Sequence, residues 1–315
     1  MSLAVTPGWI ANTPALDLPG RWRSRFAVAG ITVEVSAEEP AAVDLGAQLA
    51  QFQHDGDAPA DIDLQVDWVP AIEPARGREL FHSGCLWSVF EHGGGFLFDF
   101  VTRHLGPRPY KRLLVDREFR RARVELSREC MSDEDAGRAL EYPLDELLIT
   151  HHLSLGRGVE LHGCGMAGRG GESFLFTGHS GAGKSTTARL WTRLSPVEVL
   201  SDDRIIVRRA GRDRSPGFTM HGTPWHGEAA FASPGRAPLR RIFLLEHGRE
   251  NRIERLSPAV AVGELLARSF TPFYLSRFVD PVLALLEDIV SELPCYRFQF
   301  VPEPSAVEKI LEFHD

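Results

Sequence analysis

The 315-residue chain is poor in lysine: Lys111, Lys184 and Lys309 are its only three, so arginine supplies nearly all of its 35 basic residues. With 43 acidic residues the net charge is −8, which argues against a general nucleic-acid binder, since phosphate contacts need a basic surface. The one arginine-rich run, Arg117 to Arg123, alternates with Glu118, Phe119 and Ala122 and reads as a solvated strand face. Cysteine is scarce too. Cys85, Cys130, Cys164 and Cys295 form no CxxC pair, which gives no zinc signature and fits reduced thiols of a cytoplasmic protein. No apolar run approaches the ~18–20 residues of a membrane span. The first twenty residues lack the basic-then-apolar order of a signal peptide.

The first part of the chain reads as β-rich. "SRFAVAGITVEVS", "DIDLQVDWV", "LWSVFEHGGGFLFDFV" and "KRLLVDREFRRARVEL" carry period-two alternation or β-branched and aromatic clusters, with Gly93 to Gly95 marking a hairpin turn. "SDEDAGRALEYP" reads as a linker, which sets domains at 1–138 and 139–315. In the second, "PLDELLITHHLSL" has helical spacing, with His151 and His152 expected to be partly exposed. Beyond it, "GVELHGCGMA", "ESFLFTG", "VEVLSDDRIIVRR" and "LRRIFLLEHG" read as strands. "KSTTARLWTRL", "SPAVAVGELLARS", "VDPVLALLEDIVSEL" and "SAVEKILEF" read as helices, so this part is α/β (α+β).

Chemistry concentrates at Gly178–Ser185, "GHSGAGKS", which fits G-x-x-x-x-G-K-[ST] between an apolar strand and a helix. Gly178, His179, Ser180, Gly181, Ala182 and Gly183 would turn their backbone N–H groups onto a polyphosphate at the positive end of the helix. Lys184 would reach the terminal phosphates, Ser185 would offer its hydroxyl to Mg²⁺, and Thr186 closes the motif. One short helix and one strand later come Asp202 and Asp203. In a regular strand they would face opposite sides; at a strand end or tight turn both can face one site. Phosphoryl transfer needs two such anions, one holding Mg²⁺ and one taking the attacking hydroxyl's proton.

"GHSGAGKST" followed by "LSDDRIIV", with "LHGCGM" upstream, resembles the kinase domain of HPr kinase and its relatives, over about residues 141 to 270. The resemblance implies a P-loop core shared with the phosphoenolpyruvate carboxykinases, below a β-rich N-terminal domain. It places ATP at Gly178 to Thr186 and Mg²⁺ at Ser185 and Asp203. Asp202 becomes the catalytic base and His162 a residue near the transferred phosphate, with the two aspartate roles exchangeable. The glycine-rich signature of HPr kinases that also dephosphorylate is absent, and "HGTPWHGEA" stands in that region. The sequence resembles more closely the divergent relatives that phosphorylate serines of small peptides, or free serine. A nucleotide-gated module with slow hydrolysis is the alternative of another class. A third reading gives the β-rich part a leader-peptide or partner-binding role.

Among weaker candidates, Trp225, His226 and Glu228 form a loop that could line an acceptor pocket or be plain structure. His221 and His226 make no metal pair at familiar spacing. A second cation for the transferred group is expected, and Arg204, Arg236, Arg240 and Arg241 are candidates the sequence does not separate. It also leaves open whether the chain forms a homo-oligomer.

Overall fold

A computed structural model describes residues 21–168, 170–210 and 217–314. It is a mixed α/β protein with two sheets. The chain divides into two compact units, one ending at His152 and the other beginning at Leu153. No helix among the described residues is long and apolar enough to cross a membrane.

The first unit is built on an eight-stranded sheet. Its strands are β1 (Trp22–Val28), β2 (Ile31–Ala37), β3 (Ile62–Val69), β4 (Glu79–His82), β5 (Trp87–His92), β6 (Gly95–Thr102), β7 (Gly106–Val115) and β8 (Arg121–Ser127). They lie in the order β1-β2-β3-β8-β7-β6-β5-β4. Period-two patterning explains the faces. Val33, Val35, Leu64, Val66, Val124, Leu113 and Phe98 are buried on one side. On the other, Arg25 pairs with Glu34, Arg123 with Asp67 and Arg112 with Asp99. The hairpin turn expected at the triple glycine joins β5 to β6, where His92 faces Gly95. The basic run divides: 117–120 forms the turn before β8, and half-buried Arg123 is paired rather than solvated.

Two expectations change here. A short α1 (Gly46–Ala50) precedes β3, and α2 (Leu144–Leu153) closes the first unit, so the division falls after 152 rather than at 138. The cause is local: the His151 ring stacks on Phe119 with centroids 4.9 Å apart, and His152 Nδ1 meets the Phe119 carbonyl at 2.9 Å. Both histidines are therefore buried, at 1% and 2% exposure, not partly exposed. Helical spacing marked the apolar leucines but not the aromatic rings that would cover the polar end.

The second unit has a nine-stranded sheet around the long β9 (Val159–Gly168). On one edge of β9 lies β10 (Ser173–Thr177), antiparallel, followed by β15 (Arg241–His247) and β17 (Cys295–Phe300), each parallel to the strand before it. β16 (Arg252–Arg255) closes that side. On the other edge β9 pairs first with β12 (Arg204–Arg209) and further on with β11 (Val197–Ser201). β13 (Phe218–His221) and β14 (Arg236–Pro238) extend beyond β12.

Helices cover both faces of this sheet, which is why β10 is buried at every position. Phe174 and Phe176 point to an aromatic layer with Phe243, Tyr296, Phe298 and Phe300, packed under α3 (Lys184–Leu194) and α6 (Pro304–Leu311). Leu175 points to the opposite layer with Ile242 and Leu244, under α4 (Pro258–Leu266) and α5 (Ser276–Glu292). The loop 178–183 leaves the C-terminal end of β10 between these layers, where parallel strands in open α/β sheets leave their ligand crevice.

Candidate functional site

The glycine loop is held from below by the ends of its neighbouring strands. His247, the last residue of β15, places Nε2 2.8 Å from Gly181 O. Phe300, the last of β17, packs so close under Gly183 that a Cβ there would meet its Cζ at 2.5 Å. Gly183 also has φ +99°, a conformation that only glycine adopts without strain. It opens α3, whose first amides have no partner within the helix. Lys184 folds back over this loop: Nζ donates to Gly178 O at 3.0 Å and His179 O at 3.1 Å. Burial pulls its pKa down to about 8, and Arg204 and Arg268 add to the fall against the opposing pull of Cys164 and Asp202. This is a cation poised beside backbone carbonyls, which accept weakly compared with an anion.

The aspartates occupy the two residues between β11 and β12, so the strand-alternation rule does not apply to them. Ser201 shapes this turn. Its hydroxyl accepts from Asp203 N at 3.3 Å and Arg204 N at 3.2 Å while donating to Trp225 O at 3.2 Å.

The two carboxylates have different surroundings. Asp202 is 1% exposed and accepts from Ser185 Oγ and Ala229 N, each at 3.0 Å, on Oδ2, and from Gly227 N at 3.0 Å and Phe231 N at 3.2 Å on Oδ1. Four donors match the roughly four lone-pair sites of a carboxylate. Asp203 keeps 23% of its side chain exposed, meets His162 Nε2 at 3.0 Å through Oδ1, and pairs with Arg204 through Oδ2. Burial, followed by the charges of Lys184, Arg204 and Arg268, holds the His162 imidazole down at about 4. His162 is therefore neutral near pH 7 and donates Nε2–H to Asp203 Oδ1.

The candidate residues therefore converge in one place: Gly178, His179, Ser180, Gly181, Ala182, Gly183, Lys184, Ser185 and Thr186 in the loop and first turn, with Asp202, Asp203 and His162 beside them. Of the four arginines considered, only Arg204 joins them. Its guanidinium lies 4.0 Å over the Phe270 ring, whereas Arg236 sits on β14 opposite His221, Arg240 is exposed, and Arg241 donates to Phe313 O. Trp225 is buried; His226 and Glu228 are exposed on the loop that Asp202 fastens.

Sequence reasoning missed Arg268 and Phe270. They follow α4 and return to β9, where Leu161 bridges Ser269 and Phe270 N donates to Glu160 O at 3.0 Å. No local pattern marks them, because only the tertiary return brings them to the loop. Among the described residues no group of three or more His, Cys, Asp or Glu side chains could hold a metal. No protein-family model matches the chain, and no curated protein sequence matches it.

Proposed function

We propose that the second unit is an ATP-dependent phosphotransferase that phosphorylates a hydroxyl, with a P-loop core of the HPr kinase type. One observation carries the reading: a single two-residue turn delivers Asp202 to Ser185 and Asp203 to His162, next to a loop whose lysine donates only to carbonyls among the described residues. A structural glycine turn before a helix has no need of a buried, depressed lysine and two differently served carboxylates.

The residues present fit Mg²⁺ bound together with a nucleotide. Ser185 spends its O–H on Asp202, which leaves its lone pairs for a cation. Mg²⁺ commonly takes one or two protein ligands and completes its octahedron with phosphate oxygens and water, so the lack of a three-residue cage is compatible with it. When bound, the metal would neutralise charge on the phosphates. The aspartate roles follow from their bonds. Asp202, with four donors, holds the metal-ligating hydroxyl, while the more open Asp203 is the base, oriented by neutral His162. This exchanges the roles that the family resemblance first suggests. In the transfer, the acceptor oxygen bonds to the γ-phosphorus, the bond to the ADP oxygen breaks, and the hydroxyl proton passes to Asp203. Lys184 and Arg204 supply positive charge beside that centre.

A serine of a peptide or small protein is the acceptor this reading favours, with free serine or another small alcohol as the alternative. The test is transfer of labelled phosphate from ATP·Mg²⁺ to serine peptides, HPr and free serine. Asp203→Asn is expected to lower transfer by about 10²-fold or more while ATP still binds. Undiminished transfer by Asp203→Asn would remove the proposed base. Tight ATP binding with no transfer to any acceptor would favour a nucleotide-gated module instead.

A further inference from the structure

We propose that Arg268 is a further cation of the site, added to Lys184 and Arg204, a guanidinium that contacts the terminal phosphate of a nucleoside triphosphate. The inference rests on the nucleotide-binding reading and goes beyond it, naming a residue that neither the motif nor the family resemblance supplied.

Arg268 is 7% exposed. It lies just past the C-terminal end of α4, and its backbone is fixed to the strand that carries His162, since His162 N donates to Arg268 O at 2.8 Å. Glu264, one turn earlier, holds Nη1 through both its carboxylate and its carbonyl. Nη2 reaches the glycine loop itself, 2.9 Å from His179 Nε2. That contact makes Nε2 the acceptor, so the His179 proton sits on Nδ1. Nε is buried and has no hydrogen-bond partner among the described residues. A buried donor left unpaired is costly, and a guanidinium, with five donors in a rigid fork, is suited to bind phosphate at two points.

Position puts this charge where a polyphosphate would need it: the fork lies against His179 of the glycine loop and the Arg268 carbonyl against His162. Nearby, Phe270 forms the floor under Arg204. Arg204 pairs with Asp203 and Arg268 Nη1 with Glu264, while Lys184 donates to carbonyls. A terminal phosphate would be a stronger acceptor than those carbonyls and a ligand for the rest of the Arg268 fork.

The test is calorimetric titration of the full chain with ATP and, separately, with ADP, both with Mg²⁺. Wild type, Arg268→Ala and Arg268→Lys are compared after thermal melts establish which are folded. Expected is a weakening of ATP binding by about 10-fold or more in Arg268→Ala, with ADP binding changed less than about 3-fold. Arg268→Lys, which keeps the charge but loses the fork, should fall between the two and carries the test if the alanine variant does not fold. Equal losses for ATP and ADP would make Arg268 a brace for the loop and overturn the inference while sparing the nucleotide reading. Unchanged binding of both by the variants would also overturn it. A wild-type protein that binds neither nucleotide would end both proposals together.

Discussion

At the scale of single residues, Asp202 and Asp203 are adjacent in sequence and opposite in character. Asp202 is a fastening point whose charge three backbone amides and a hydroxyl share; Asp203 is a half-open group with a histidine and an arginine. Asp202→Asn would put an amide donor where four donors converge. It should destabilise the protein by about 2–4 kcal/mol in denaturant unfolding. Asp203→Asn should cost no more than about 1 kcal/mol, because its partners keep access to water. The reverse order would mean that the turn does not hold the two side chains as described. Lys184 gives a second check. A phosphate beside its ammonium raises a pKa that burial holds at about 8, so ATP binding at pH 8 to 9 should take up protons. Calorimetry in buffers of different ionisation enthalpy reads that uptake, and Lys184→Met should abolish it.

At the scale of elements, what the sequence made legible was contiguous. Strand, glycine loop and helix lie within Ser173–Leu194, and the aspartate turn follows on the next strand, so residue types and spacing were sufficient. The helices at Pro258–Leu266, Ser276–Glu292 and Pro304–Leu311 announced themselves by apolar periodicity, although the second begins before its internal Pro281. Illegible were features that depend on what covers a face: the burial of His151 beneath Phe119, the return of Arg268 to β9, and the short strands β14 and β16. The bracing of the loop by the ends of β15 and β17 belongs to the same class, and it makes a prediction. Gly183→Ala would force a side chain into a left-handed backbone and against Phe300, lowering stability by about 1–3 kcal/mol and weakening nucleotide binding. Pairing it with Phe300→Leu should recover part of the stability loss in thermal melts but not the backbone strain. Full recovery would show that ring contact alone governs the loop.

For the whole molecule, acid should be the more damaging direction of pH change. Burial holds His151 in the first unit down at about 4, and it does the same to His162 and His221 in the second. Below pH 6.5 the unfolded chain binds these protons and the folded one does not, so stability falls as pH drops from 6.5 toward 4. His151 alone accounts for at most ~3 kcal/mol of that loss. Replacing it with an apolar ring, as in His151→Phe, should flatten the acid limb of a stability-against-pH curve measured by urea unfolding. An unchanged limb would mean that other groups govern it. Lysine scarcity gives a complementary readout. Lys111 and Lys184 are buried while Lys309 is exposed, so brief acylation of the native protein should modify Lys309 first among the lysines by peptide mapping.

The amides that converge on Asp202 have a consequence for how this protein could diversify. They pin the main chain of 227–231 as a socket is pinned by a single bolt, yet leave the His226 and Glu228 side chains pointing into water. Those outward positions can be exchanged without shifting the bolt. A descendant or a designed variant could therefore change the surface chemistry of this loop while leaving the buried carboxylate and its serine in place.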